Sequence, residues 1–276
     1  MTLSIIIPCF NHGAFIQEAI NSVLALKGIV YEIIIVNDGS TDAGTIRKIE
    51  ELERAGFQVL SHTNHGLAYS RNRGIEAAKG TCILPLDADN KIKPEYVYKA
   101  LPLLEGNDCD VVYAKPAFFG NVTRERLFAT RAMNISELSM LNYIDACAIY
   151  KKSVWQQLNG YDRHMPFPGQ EDWEFWIHAY TKNFRFRFID EELFYYRIEA
   201  NSMISVTVRS DRNAANQEYI FHKHSGFFRN LLVSLYYTSK MREYDMQHPF
   251  RTFVKYLYYS LFKRSQITSP AIRTDA

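Results

Sequence analysis

The chain of 276 residues carries 32 Lys and Arg against 30 Asp and Glu, a net charge of +2, with 47% hydrophobic and 22% charged residues. That balance excludes a disordered or collagen-like chain and gives no reason to expect nucleic acid as a partner. The length suits one large α/β domain with an appendage better than two equal domains. The four cysteines, Cys9, Cys82, Cys109 and Cys147, lie far apart without a Cys-x-x-Cys pair, which predicts reduced, buried thiols and argues against zinc. The run from Leu3 follows Met1 without a basic leader, and no apolar stretch reaches membrane-spanning length, so the expected compartment is the cytoplasm.

Leu3-Ser4-Ile5-Ile6-Ile7-Pro8 reads as a buried parallel strand closed by proline. After the turn Phe10-Asn11-His12-Gly13, the residues Phe15, Ile16, Ala19, Ile20, Val23 and Leu24 recur at helical spacing. Tyr31 to Val36 is a second strand, running into Asn37-Asp38-Gly39-Ser40-Thr41-Asp42. A helix from Thr45 to Leu52, a strand at Gln58-Val59-Leu60 and a helix opened by Asn64 to Gly74 follow. Thr81 to Leu86 is then an apolar run that stops in Asp87-Ala88-Asp89-Asn90. Strands and helices alternating at these lengths predict right-handed parallel crossovers, with several polar strand ends crowding one edge.

The second half is less regular. A helix from Pro94 to about Leu104 leads to a strand at Val111, and Phe118 to Leu141 reads as a loop with helical turns. Ile144 to Tyr150 is expected as a strand, Ser153 to Leu158 and Glu171 to Tyr180 as helices, and Arg185 to Ile189 as a strand before a segment ending Tyr195-Tyr196-Arg197. From Arg209 the pattern is helical, and the last nine residues read as disordered. The tail is the basic part: from Val206 onward eleven Lys and Arg stand against five acids.

Asp87 and Asp89 carry the clearest chemistry. Two acids one residue apart at a strand's carboxyl end can face one small volume, which suits a hard divalent cation whose other ligands are phosphate oxygens. Asp108 and Asp110 repeat the spacing, but at the amino end of the Val111 strand, away from that edge. Asp38 stands where its carboxylate can accept an imide N–H from uracil or thymine, although Asp-Gly-Ser-Thr-Asp is equally a turn with a helix cap. Arg71 near a helix start offers a guanidinium fork to base or phosphate. Asp172, in the first turn of its helix, is placed to stay charged, and it serves the helix dipole in the same position.

Taken together, Ile6-Ile7-Pro8-Cys9-Phe10-Asn11, Val36-Asn37-Asp38-Gly39-Ser40-Thr41-Asp42, Ser70-Arg71-Asn72, Leu86-Asp87-Ala88-Asp89 and Glu171-Asp172-Trp173 resemble, in that order, the family-2 inverting glycosyltransferases of the bacterial surface-polysaccharide type. The resemblance implies an α/β GT-A fold, a mostly parallel sheet flanked by helices, followed here by a helical C-terminal extension. It implies a glycosyltransferase domain over residues 1–205, with a nucleotide-binding half (1–90) and an acceptor half (91–205), and an extension over 206–276. The implied reaction moves a hexosyl or N-acetylhexosaminyl group, with inversion, from a nucleotide-diphospho-sugar, a UDP-sugar by preference, to a saccharide or lipid-linked acceptor.

Residue by residue, the resemblance gives Asp172 the role of catalytic base and lines the donor site with Pro8, Phe10, Asn11, Asp38, Arg71, Asp87 and Ala88. It gives Mg²⁺ or Mn²⁺ to Asp89 and Asp87, the acceptor to Trp173 and to Glu171, which either orients the acceptor or supports the loop, and the diphosphate to Arg197. The chain departs from the pattern at Asn90, where many relatives carry a third acid, and at Glu199, where relatives often carry His. Two rival functions stay open: a sugar-phosphate nucleotidyltransferase, which wants a basic Gly-rich loop that Pro8 to Gly13 lacks, and a non-catalytic nucleotide-sugar-binding protein, which has no need of Asp172. In the tail, residues 249–264 mix aromatic and basic side chains without an acid, a composition suited either to the inner face of an anionic membrane or to packing on the domain.

Overall fold

The computed structural model describes residues 1–122, 128–199 and 211–262. Four strands, β1 (Leu3–Cys9), β2 (Tyr31–Asp38), β3 (Gln58–His62) and β4 (Cys82–Pro85), alternate with α1 (Ile16–Leu24), α2 (Ala43–Arg54) and α3 (Leu67–Ala77). There follow β5 (Lys91–Ile92), α4 (Pro94–Glu105), β6 (Val111–Gly120), α5 (Ile135–Leu138), β7 (Ile149–Lys151), α6 (Lys152–Leu158), α7 (Glu171–Thr181) and β8 (Phe186–Ile198). The helices α8 (Asp211–Lys223), α9 (Ser225–Gln247) and α10 (Pro249–Phe262) close the described chain.

The described strands form one sheet in the order β3-β2-β1-β4-β7-β6-β8-β5. β1 pairs in parallel with β2 and with β4, and β2 in parallel with β3. All seven residues of β1 are buried, because helices cover both faces of this central strand; that is why it reads as an unbroken apolar run rather than an alternating one. The chain leaves β1 toward β2 and β3 and returns on its other side as β4. The crevice at the carboxyl ends of β1 and β4 is therefore the switch point at which such sheets bind ligands.

Close packing on this sheet fixes where α3 lies. A Cβ at Gly74 would meet Ile6 Cγ2 at 2.3 Å and Val36 Cγ2 at 3.0 Å, so the missing side chain is what lets the helix touch β1 and β2. Arg71, one turn earlier on the same face, is carried with it into the interior and is only 2% exposed.

Several expectations need correction. Ile144 to Tyr150 is not one strand: β7 begins at Ile149, because Asp145 Oδ1 accepts the Cys147 N–H (2.8 Å) and the Ile144 carbonyl is taken by Trp176 Nε1 (3.0 Å). Arg185 to Arg197 is mostly a single strand, β8, paired in parallel with β6, and the register shifts around Lys115 and Pro116, where proline has no N–H to give the ladder. Part of the expected loop after Phe118 is still β6. Residues 123–127 and 200–210, and the tail from 263 that includes the segment read as disordered, lie outside the described residues.

By its contacts the chain divides into a unit of Met1–His222 and a unit of Lys223–Ala276. α8 is tied into the first unit by side chains: Asn216 bonds both the N–H (2.9 Å) and the carbonyl (3.0 Å) of Phe167, and Tyr219 donates to Asp162 (2.9 Å). The second unit holds α9 and α10, joined where Thr252 donates to the Asp245 carbonyl (3.0 Å) and Arg251 to the Tyr244 hydroxyl (3.1 Å).

Candidate active site

Three strand ends and one helix start meet at the crevice. At the exit of β1, Asn11 adopts a left-handed conformation (φ 58°) and turns its side chain across to the loop after β2. Its Oδ1 accepts the N–H groups of Thr41 (2.8 Å) and Asp42 (2.9 Å), and its own N–H donates to Ser40 Oγ (3.1 Å). Asn11 is thus a strut between two loops. Phe10 beside it stands 44% exposed, while Pro8 is buried in β1.

Asp38 is the last residue of β2 and is buried. Its carboxylate accepts the N–H of His65 (2.8 Å) and of Gly66 (3.0 Å), with His62 Nδ1 3.3 Å away. Those bonds hold the start of α3, while the cap reading of the same motif belongs to Asp42, which accepts the Thr45 N–H that opens α2 (2.6 Å). A carboxylate has roughly four acceptor sites, so Asp38 retains capacity for a further donor.

At the end of β4, the Asp87 carbonyl accepts the Asn90 N–H (2.9 Å), a turn that folds Asp87-Ala88-Asp89 back over the sheet edge. Ala88 within it is buried. Asp87 Oδ1 receives Arg71 Nη2 at 2.9 Å. Asp89 is pushed above the usual carboxylate range by burial and then by the charge of Asp87, with His12 and Arg197 opposing. Asn90, where an acid was expected by resemblance, is buried and accepts the Arg197 N–H at 2.9 Å. An amide there bonds the backbone of β8 without adding a third negative charge.

Arg197 is held from several sides. Its Nε donates to the Asp89 carbonyl (3.0 Å), its Nη2 lies 3.0 Å from Glu18, and its guanidinium stands 4.4 Å from the ring centroids of both Phe15 and Phe119. It sits beside Asp89, clamped rather than extended toward a ligand.

Helix α7 brings the remaining carboxylates. Arg71 Nη1 donates to Glu171 Oε1 (3.2 Å), with both side chains 3% exposed, so one buried guanidinium links the end of β4 to the start of α7. Burial opposes the charge of Arg71, but Asp87 and Glu171 outweigh it and raise its pKa further. Glu171 Oε2 also accepts the Gly169 N–H (2.8 Å), which fixes the loop before α7. The Arg71 fork, expected to face base or phosphate, is taken instead by two carboxylates, and Glu171 bonds the loop, one of the two roles expected of it. The expectation for Trp173 is corrected as well: it is 1% exposed and its indole donates to the Leu138 carbonyl (2.6 Å), so it offers no stacking face.

Asp172 follows Glu171 in the first turn of α7. Oδ1 accepts the Trp173 N–H (2.8 Å) and Oδ2 accepts Asn142 Nδ2 (3.1 Å). Burial and then the neighbouring Glu171 charge push its pKa up to about 7, with Arg71 and these two hydrogen bonds opposing.

Two residues that the sequence did not single out join the group. Asp145 is raised by burial and then by the charges of Asp87 and Asp172. The Tyr196 hydroxyl is raised by burial and then by Asp145, Asp87, Asp89 and Asp172. Tyr196 is thus within electrostatic reach of all four aspartates. An acid inside the apolar run Ile144 to Tyr150 was the available signal for Asp145. Tyr196 had none, because a tyrosine in a strand ordinarily packs a core.

Among the described residues no three His, Cys, Asp or Glu side chains form a metal-holding group by themselves. The donor set at the β4 turn nevertheless fits a hard cation that takes other oxygens from its ligand: two carboxylates one residue apart, one of them raised by burial and by the charge of the other.

Comparison with known proteins bears on what such a crevice does. The family model described as Glycosyl transferase family 2 matches residues 4–160. The chain is 28% identical over 219 residues to the uncharacterized glycosyltransferase EpsJ of Bacillus subtilis, covering 74% of this chain and 63% of that protein's length. Among solved structures it resembles S. aureus TarS 1-349 in complex with UDP-GlcNAc, with a TM-score of 0.58 at 23% identity over 74% of this chain and 61% of that one. It also resembles the mannosyltransferase PcManGT from Pyrobaculum calidifontis in complex with GDP-Man and Mn²⁺, with a TM-score of 0.59 at 15% identity over 80% and 63%. At these identities the two structures speak for the fold.

Proposed function

The chain belongs to glycosyl transferase family 2, and from that premise we propose that it moves a hexosyl or N-acetylhexosaminyl group from a nucleotide-diphospho-sugar to an acceptor hydroxyl in a single inverting displacement. The observation that carries the reading is the Arg71 bridge: one buried guanidinium joins Asp87, on the donor side, to Glu171, whose neighbour Asp172 has the ionisation a base needs near neutral pH.

In this reading the nucleoside lies over the exits of β1 and β2. Asp38 accepts its imide N–H, Phe10 covers the base, and Pro8 and Asn11 shape the wall through the loops they fix. Asp87 and Ala88 meet the ribose and diphosphate, and Arg197 supports the turn at Asp89. Asp89 and Asp87 would hold Mg²⁺ or Mn²⁺, which when bound supplies positive charge to the departing diphosphate. The Mn²⁺ and GDP-Man named for the Pyrobaculum protein, and the UDP-GlcNAc named for TarS, support a nucleotide-sugar donor with a divalent cation. Asp172 takes the proton of the acceptor hydroxyl as that oxygen bonds to the anomeric carbon, and the nucleoside diphosphate leaves from the opposite face. A base with pKa near 7 combines a usable charged fraction with enough proton affinity to assist.

The acceptor class is a saccharide of a surface polysaccharide or glycolipid, which the motif resemblance implies. A lipid-linked acceptor calls for a protein at the membrane face. No described helix is long and apolar enough to cross a membrane, but α10 exposes Phe250 (78%) and Phe253 (63%) with Arg251 and Lys255 among them, the composition of an interfacial helix. Screening UDP-, GDP- and dTDP-sugars for Mn²⁺-dependent thermal stabilisation tests the donor half of the reading. A flat response to the whole panel would overturn it.

A further inference from the structure

We propose that Asn142 is a positioning residue for Asp172, its side-chain amide held in one orientation by the backbone of Ile144 so that its N–H₂ donates to the Asp172 carboxylate. The inference rests on the reading of Asp172 as the base. Its geometry is complete on both ends of the amide. Asn142 Oδ1 accepts the Ile144 N–H (3.2 Å), which only an oxygen can do, so the nitrogen must be the atom facing Asp172 Oδ2 at 3.1 Å. A flipped amide would set N–H against N–H and oxygen against carboxylate.

The segment that carries Asn142 is tied to α7 at two further points. The Leu138 carbonyl accepts Trp173 Nε1 (2.6 Å) and the Ile144 carbonyl accepts Trp176 Nε1 (3.0 Å), and both indoles are buried. Two tryptophans one turn apart therefore clamp residues 138–144 against the helix, and Asn142 lies between the clamped carbonyls with its amide on the base. This accounts for the buried tryptophans in the acidic motif: they hold the strut that aims Asp172.

The electrostatic consequence follows from the groups that face Asp172. Burial and Glu171 disfavour its charge, Arg71 favours it, and Asp145 and the Tyr161 and Tyr196 hydroxyls sense it. Asn142 is the uncharged side-chain donor in this surround that bonds the anion directly, so losing it raises the proton affinity of the base. Asn142→Ala removes both bonds. Asn142→Asp keeps the acceptor for Ile144 and removes the donor, so the turn survives while the support for Asp172 is lost.

The test is a carboxyl-carbon NMR titration of the full chain labelled at aspartate, with the Asp172 signal identified by its absence in Asp172→Asn. The Asp172 midpoint is expected to rise by roughly one pH unit in Asn142→Ala and further in Asn142→Asp. Asp110, bound by Lys151 and Arg185, reports in the same spectrum that each variant is folded. An unchanged Asp172 midpoint in either folded variant overturns the proposal. If the midpoint moves but Asp172→Asn still transfers sugar, the base assignment fails while the Asn142 contact stands.

Discussion

Arg71 and Glu171, a hundred residues apart in the chain, form an ion pair of 3.2 Å in which each side chain is 3% exposed. A charge pair so deeply buried gives little net stability when intact, because desolvation offsets the attraction, but breaking it strands one charge in the interior. Arg71→Leu is therefore expected to cost about 3–5 kcal/mol in chemical denaturation and to abolish donor-dependent thermal stabilisation, since Asp87 loses its partner too. Adding Glu171→Gln to Arg71→Leu is expected to recover part of the loss. Strict additivity of the two substitutions would refute the coupling.

Asp172→Asn is expected to lower transfer by about 10²–10⁴-fold while leaving the donor-induced rise in melting temperature intact, because the general base acts only on the acceptor. In the parent protein the rate should fall as pH drops through about 7, as Asp172 takes up its proton. The sign for stability is the opposite of the usual carboxylate case. With a folded pKa above the unfolded value of 3.8, the native state binds the extra proton, so Asp172 costs the fold progressively more from about pH 4 to pH 7. Asp172→Asn removes that titration, and its melting temperature relative to the parent is expected to be higher at pH 8 than at pH 4. A difference independent of pH would contradict the raised pKa.

The sequence made the strand ends legible and the roles at them less so. β1, β2 and β4 are short apolar runs stopped by polar turns, a pattern that burial on both faces of a parallel sheet imposes; it located Asp38, Asp87 and Asp89 at one edge. Roles that depend on contacts across the chain were not legible. Nothing local separates a ligand-facing Arg71 from one buried by the close approach of Gly74, or an open Trp173 from one bonded to Leu138. Asp145 was hidden for a related reason: its own Asx turn takes up the first residues of the apolar run that reads as a strand. The Asn90 departure became explicable only with its partner, Arg197 of β8, in view.

Asp89→Ala is expected to weaken Mn²⁺-dependent donor stabilisation by tenfold or more in apparent affinity, roughly 1.4 kcal/mol. The same substitution removes a carboxylate that burial and Asp87 already disfavour, so without metal the variant is expected to melt no lower than the parent. Titrating Mn²⁺ at fixed donor separates the two effects. A metal response equal to that of the parent would remove Asp89 from the ligand set.

Gly74→Ala tests whether the approach of α3 to the sheet places the site. The added methyl would stand 2.3 Å from Ile6 Cγ2, inside a strand with no room to yield, so the helix must shift outward. A loss of about 1–3 kcal/mol is expected from overpacking, measured by denaturant midpoint. Because Arg71 rides on the same helix face, the shift is also expected to weaken donor binding under conditions where the variant is fully folded. Stability lost without any change in donor binding would mean that Arg71 does not need α3 in register.

The exposed face of α10 gives the last prediction. Phe250, Phe253, Val254 and Leu257 are each at least 46% exposed, with Arg251 and Lys255 within the same span, so apolar insertion and attraction to anionic headgroups would act together. The full chain is expected to pellet with vesicles containing phosphatidylglycerol, less with vesicles of phosphatidylcholine alone, and less again in high salt, where charge attraction is screened. Phe250→Ser with Phe253→Ser is expected to reduce pelleting without altering donor binding, because neither phenylalanine is among the residues assigned to the donor. If the parent chain does not pellet with anionic vesicles, or if the double substitution leaves pelleting unchanged, α10 is not a membrane-facing helix.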